Sequence, residues 1–170
     1  MIRNFLFGLT LIAFATACNK EKPREVVAEA VPSVQTVQTP NQMPGFKITK
    51  TDGSKLDFKT VEGKVLVVFF NPSCDHCQRE AKLISENKDV IKDYNVYFIS
   101  PEPLDSIAKF SYDYHLVETN VHFAQGNGAE IINAVGPITT VPTMMIYDKQ
   151  QFKAKMEGEI TIDKLRQMLK

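Results

Sequence analysis

The chain has 170 residues, 44% of them hydrophobic, and its 20 Lys plus Arg are balanced by 20 Asp plus Glu. That length allows one domain with a real core and some extra chain. The balanced charge gives neither the basic footprint of a nucleic-acid binder nor an acidic solvating tail, which leaves the three cysteines as the informative part of the composition.

Residues 1–4 carry one Arg, residues 5–14 are almost wholly apolar, and Ala15, Thr16 and Ala17 lead into Cys18. A positive start, a short apolar run and a small-residue exit predict a secretory signal peptide over residues 1–17. The run is too short to span a bilayer comfortably. The small residues before Cys18 resemble the bacterial lipobox, in which that Cys is lipidated and becomes the new N-terminus, although Ala15 stands where Leu is usual. Ordinary A-x-A cleavage is the alternative, and it would release a soluble protein beginning with a free thiol. Lipidation removes a thiol that an oxidising compartment would make a liability, and it leaves one pair of cysteines. Asn19 is not the Asp that retains lipoproteins on the inner membrane in some bacteria, which favours the outer membrane.

Residues 19–43 have prolines at 23, 32 and 40, a charged opening, and then Ser, Thr, Gln and Val without a clear period. With Cys18 they are expected to form a disordered tether, residues 18–43, of about 25–30 Å reach. An N-terminal arm lying on the domain is the other reading. The folded domain is expected over residues 44–170.

Within it, residues 46–49 and 56–58 read as short strands around a turn at Thr51, Asp52, Gly53 and Ser54. Residues 65–70 are a continuous β-branched and aromatic run, the pattern of a strand buried on both faces. Asn71, Pro72 and Ser73 break it. A helix is expected from about Cys74, with Ala81 and Ile84 apolar and Arg79, Glu80 and Lys82 polar around them. Residues 96–100 form a second buried strand, stopped by Pro101, Glu102 and Pro103, and Pro103 suits the first turn of a helix running to about Tyr112. Residues 121–124 predict a short strand, residues 129–134 a short helix ended by Gly136 and Pro137, and residues 143–147 a strand directly after Pro142. Phe152, Ala154 and Met156 alternate with Lys153, Lys155 and Glu157 as a half-exposed strand should. Thr161 caps a last helix whose Ile162, Leu165 and Leu169 face inward, with Ile160 placed to staple against Leu165. Strands alternating with helices, followed by a hairpin and a helix, predict a single α/β domain with a mixed sheet.

Cys74 falls at a helix N-terminus, where unpaired N–H groups and the helix dipole favour a thiolate over a thiol. Cys77 follows one turn later on the same face, close enough for a disulfide. The CDHC sequence on a strand-to-helix corner, with Val141-Pro142 about 65 residues later, resembles the thioredoxin-like superfamily and within it the secreted, membrane-tethered TlpA-like branch. The resemblance covers the whole expected domain. It implies a thioredoxin-like fold with a central mixed sheet flanked by helices, Cys74 as the exposed nucleophile, and Cys77 as the buried resolving thiol. It also implies a cis bond before Pro142, with the Val141 backbone free to pair with a substrate strand. Two positions depart from many relatives, and a third follows the branch. Ser73 stands in place of Trp, Val68 in place of a buried Asp, and Glu80 matches an acidic position of the TlpA-like branch. Glu80 reads either as a proton shuttle for the resolving thiol or as a solvated helix-face carboxylate. His76 is expected to stabilise the nearby thiolate, and Asp75 to oppose it.

These features predict a periplasm-facing, lipid-anchored thiol–disulfide oxidoreductase that needs no cofactor and no metal. It would act on protein disulfide or dithiol substrates, apo-cytochrome c among them, and would be recharged by an upstream membrane electron donor. A disulfide oxidase or isomerase is the nearest alternative. A copper-binding module using Cys74, Cys77 and a His such as His122 is the alternative of another class. A peroxidase is disfavoured because Asn71 stands where the Thr of thioredoxin-like peroxidases would be.

Overall fold

A computed structural model describes residues 41–170. The signal peptide, Cys18 and nearly all of the expected tether lie outside the described residues. Among the described residues, no helix is long and apolar enough to cross a membrane. The elements follow in the order β1 (Lys47–Lys50), β2 (Lys55–Asp57), β3 (Lys64–Phe69), α1 (Asp75–Glu86), β4 (Asn95–Ser100), α2 (Leu104–Asp113), β5 (Val121–Gly126), α3 (Gly128–Val135), β6 (Thr143–Asp148), β7 (Gln151–Glu157) and α4 (Ile162–Met168). The strands form one seven-stranded sheet in the order β2-β1-β5-β4-β3-β6-β7. β3, β4 and β5 run parallel, while β1 and β6 pair antiparallel with this central trio.

β3 is apolar throughout because both of its faces are covered. Leu66 and Val68, with Phe70 just beyond the strand, point to the side packed by α1, α2 and α4. Val65, Val67 and Phe69 point to the side covered by α3, Phe58 and the chain near Met43 and Phe46. β4 divides in the same way, Val96 and Phe98 to one side and Tyr97 and Ile99 to the other. Phe70 meets Phe98, Phe110 and Phe123 at centroid distances of 5.7, 4.7 and 5.9 Å, so an aromatic cluster pins the end of β3 just before the corner.

Local signals account for most boundaries. Asp52 Oδ1 accepts from the Ser54 N–H and hydroxyl at 2.8 and 2.6 Å and closes the β1–β2 turn. Asn127 Oδ1 caps α3 by accepting from the N–H groups of Ala129 and Glu130. Gly136, with φ of 88°, takes the left-handed position that ends the same helix. Thr161 caps α4, and Leu165 and Leu169 are buried as expected.

Two boundaries differ from the sequence reading by more than a single residue. β5 continues past Ala124 to Gly126 because Gln125 pairs with Ser100 and with Thr49 on its two neighbours. Gln42 and Met43, expected to end the tether, are docked. Gln42 bridges Gln151, the Met43 N–H donates to the Gln150 carbonyl at 2.8 Å, and the Met43 side chain is buried. The free edge of β7 gives those residues backbone partners that the composition of the segment could not reveal.

Candidate active site

Asn71 builds the corner between β3 and α1. Its Oδ1 accepts from the Ser73 N–H at 2.8 Å and the Ser73 hydroxyl at 2.7 Å, and its backbone carbonyl accepts from the Cys74 N–H at 3.1 Å. Its Nδ2 donates to Glu102 Oε1 at 3.0 Å, which ties the corner to the loop after β4. Gln78 reaches back from α1 and donates to the Pro72 carbonyl at 3.0 Å. Sequence reading treats Asn71 as a strand breaker and as the residue standing where a peroxidase Thr would be, not as the builder of the corner. Its position two residues before Ser73 is an Asx-turn signal that identifies the role found here.

Cys74 is the N-cap of α1, with an extended backbone and no side-chain capping bond, at the end of the helix where the first-turn N–H groups have no intrahelical partner. It is half-buried, and its thiol donates to the Val141 carbonyl at 3.8 Å. The Val141–Pro142 bond is cis. Val141 packs half-buried against the core, and the buried Pro142 accepts at its carbonyl from the Gly158 N–H at 2.8 Å. An apolar cavity of about 210 Å³, lined among others by Phe69, Ile131 and Ile138, opens beside Val141 on the α3 side.

Cys77 lies one turn further along α1 and is only 2% exposed. Burial pushes its thiol up to about 12. The hydrogen bond and charge of Cys74 and the charge of Glu80 add to the rise, and a backbone hydrogen bond from Asn71 opposes it. Both thiols are free.

Glu80 is 1% exposed, so the reading as a solvated helix-face carboxylate is corrected. Residues 77, 80, 81 and 84 share the stripe of α1 that faces the sheet, and Glu80 is carried inward by that spacing. The signal was present in the sequence, but the charge of the residue outweighed its position. Glu80 Oε2 accepts from the Ile160 N–H at 3.0 Å, while the buried Oε1 has no hydrogen-bond partner among the described residues. Burial pushes the carboxyl up to about 7, the Ile160 bond works against that rise, and the charge of Glu159 adds to it.

The other residues singled out from sequence sit on the outer side of α1. Asp75 is exposed at the first helical position. His76 is also exposed, and its Nδ1 lies 3.0 Å from Glu159 Oε2 and 2.7 Å from Arg79 Nη2. It donates to Glu159 in one tautomer and accepts from Arg79 in the other. The hydrogen bond of Cys74 therefore goes to Val141, and the ring nitrogen contacts of His76 go to Glu159 and Arg79. Glu159 was not singled out from sequence, since it is about 80 residues distant and carries no motif. His122 packs against Tyr97 with the rings tilted and their centroids 4.8 Å apart, on the sheet face opposite Cys77. The trio required by the copper-module alternative is not brought together.

Residues 39–155 match the AhpC/TSA family. Over 134 residues the chain is 28% identical to the thiol-disulfide oxidoreductase ResA of Bacillus thuringiensis subsp. konkukian, an alignment covering 76% of this chain and 75% of that protein. It also resembles the crystal structure of a secreted Mycobacterium tuberculosis disulfide oxidoreductase homologous to Escherichia coli DsbE, with a TM-score of 0.60 at 16% identity, covering 74% of this chain and 94% of that one. StoA from Bacillus subtilis gives a TM-score of 0.60 at 14% identity, covering 77% and 100%. These structural likenesses establish the thioredoxin-like fold.

Proposed function

The chain belongs to the AhpC/TSA family and is a thiol–disulfide oxidoreductase, and on that premise we propose that it reduces disulfides of secreted proteins through Cys74 and Cys77. The observation that carries this reading is the asymmetry of the pair. One sulfur is half-exposed at a helix N-terminus, and the other is buried one turn behind it with its thiol held near 12.

The Cys74 thiolate attacks one sulfur of the substrate disulfide. A new S–S bond forms to Cys74, the substrate bond breaks, and the departing substrate sulfur takes up a proton. Cys77 then loses its proton and attacks the Cys74 sulfur, releasing the second substrate thiol and leaving Cys74 and Cys77 joined. Two electrons have passed to the substrate, and a membrane dithiol donor returns the pair to its reduced state.

Glu80 serves as the proton acceptor for Cys77. In the resting dithiol that transfer is uphill, because burial holds the Cys77 thiol up to about 12 and the Glu80 carboxyl only up to about 7. Burial sets most of the Cys77 value, and the hydrogen bond and charge of Cys74 add to it. Both contributions vanish when Cys74 becomes a neutral mixed disulfide. The resolving thiol is therefore easier to deprotonate once there is an intermediate to resolve, although burial still holds it up. Val141, at the mouth of the site, offers its backbone to a substrate strand beside Pro142.

The placement we propose is the periplasmic side of a bacterial membrane, the outer one by preference. Residues 1–17 would be removed as a signal peptide, and Cys18 would be lipidated at the head of a tether leading to the domain. Supplying reduced apo-cytochrome c for maturation is the substrate assignment we favour. The test is trapping. Cys77→Ser should accumulate a stable mixed disulfide with substrate and Cys74→Ser none, and the reverse pattern would exchange the assigned roles. A reduction potential near the roughly −270 mV of thioredoxin supports the reductase, whereas one near the roughly −120 mV of the strong periplasmic oxidants makes the protein an oxidase.

A further inference from the structure

Glu80 hangs on one N–H, that of Ile160. What fixes that N–H lies outside the buried site. Ile160 belongs to the turn between β7 and α4, a segment that starts at Gly158 with φ of 83°. The residue before it, Glu159, is gripped by α1. Arg79 Nε donates to Glu159 Oε1 and Oε2 at 3.0 and 3.1 Å, Arg79 Nη2 donates to Oε2 at 3.0 Å, and His76 Nδ1 lies 3.0 Å from that same oxygen. Arg79 and Glu80 are consecutive on the helix, and Glu159 and Ile160 are consecutive on the turn. Two adjacent links therefore join the same pair of dipeptides, one exposed and charged, the other buried and made by the carboxylate.

We propose that Glu159 is a positioning residue: clamped by Arg79 and His76, it fixes the turn so that the Ile160 N–H stays on the Glu80 carboxylate. An exposed ion pair adds little to stability. The forked contact of a guanidinium with both carboxylate oxygens nonetheless sets direction as well as distance, and direction is what a single hydrogen bond to a buried oxygen requires. The importance of the clamp rests on the reading of Glu80 as the proton acceptor for Cys77, but its existence can be tested without substrate.

Two effects of Glu159 on Glu80 have opposite signs. Its charge makes Glu80 harder to ionise, and the Ile160 bond that it holds makes Glu80 easier to ionise. The ionisable groups facing Glu80 are Cys77 on its own helix and Glu159 on the turn. Cys77 stays a thiol across the range in which Glu80 titrates, which leaves Glu159 as the variable.

The experiment uses the reduced protein and its Glu159→Gln and Arg79→Met variants. It reads Ile160 amide exchange by NMR and the Glu80 carboxyl titration by infrared or carbon-detected spectra. In both variants Ile160 should exchange about fivefold faster, while amides of β3 and β4 keep their protection. In Glu159→Gln the Glu80 midpoint should rise, because losing the bond outweighs losing the charge. A midpoint that falls or stays in that variant overturns the proposal, as does unchanged exchange at Ile160. If Glu80→Gln resolves the mixed disulfide at the wild-type rate while these shifts appear, the proton-acceptor reading fails and the clamp stands. If resolution is slowed in Glu80→Gln but the shifts are absent, only the clamp is lost.

Discussion

Replacing Glu80 by Gln should remove a pH dependence of stability that the wild-type protein carries. Glu80 has an ordinary value of 4.5 and is raised to about 7 in the fold, first by burial. Below about pH 4.5 the carboxyl is protonated in both folded and unfolded chains, and the fold carries no ionisation penalty from it. As pH rises through 7 the unfolded chain has already released that proton and the folded chain must release it in a buried site, so stability is lost. The gap of about 2.5 pKa units corresponds to roughly 3 kcal/mol between pH 4.5 and pH 8. Gln keeps an oxygen for the Ile160 N–H but puts an amide N–H₂ where Oε1 now has no partner. That mismatch costs about 1–3 kcal/mol at every pH. The diagnostic is therefore the slope. Urea unfolding of the reduced wild-type and Glu80→Gln proteins from pH 4.5 to 8 should give curves that converge or cross as pH rises, because histidines and exposed carboxylates titrate alike in both. Parallel curves would refute the assignment of a raised Glu80.

Three further outcomes are expected. Phe70→Ala removes the ring that joins Phe98, Phe110 and Phe123 under the active-site corner, and should cost about 3–5 kcal/mol in urea unfolding. Asn127→Ala leaves the N–H groups of Ala129 and Glu130 without their cap, and should cost about 1 kcal/mol by the same measurement. Cys18→Ser should move the protein from the membrane fraction to the soluble fraction while disulfide reduction by the protein is unchanged. An unmodified Cys18 found by mass spectrometry of the mature N-terminus would remove the lipid anchor from the proposal.

The element order was legible because it depends on signals a few residues long. The continuous apolar run of residues 65–70, the prolines at 101, 103 and 142, and the caps at Thr161 and Gly136 each mark a boundary locally. Cys74 and Cys77 could be placed for the same reason, since a strand, a corner and a helix start are written in sequence around them, whereas Val141 was singled out only through the family resemblance. Glu80 was half legible. Its spacing from Cys77, Ala81 and Ile84 puts it on the core stripe, but a carboxylate there contradicts the usual rule that charges stay out. Glu159 was not legible, because its partners Arg79 and His76 lie on a helix about 80 residues earlier and no period links them. The docking of Met43 was hidden in the same way, since it depends on the free edge of β7.

That docking decides which end of the domain is a handle. Gln42 and Met43 attach at Gln151 and Gln150, beside the start of β3, where Lys64 pairs with Asp148. Cys74 lies past the other end of β3, six residues or roughly 20 Å of strand away. Whatever is joined ahead of Asn41 is thus joined at the far pole from the sulfur chemistry. A purification tag, a fusion partner or a bead coupled on that side will leave the dithiol facing open solution. The carboxyl-terminal end is the poorer choice for coupling, because Leu169 is part of the core face that also holds Cys77.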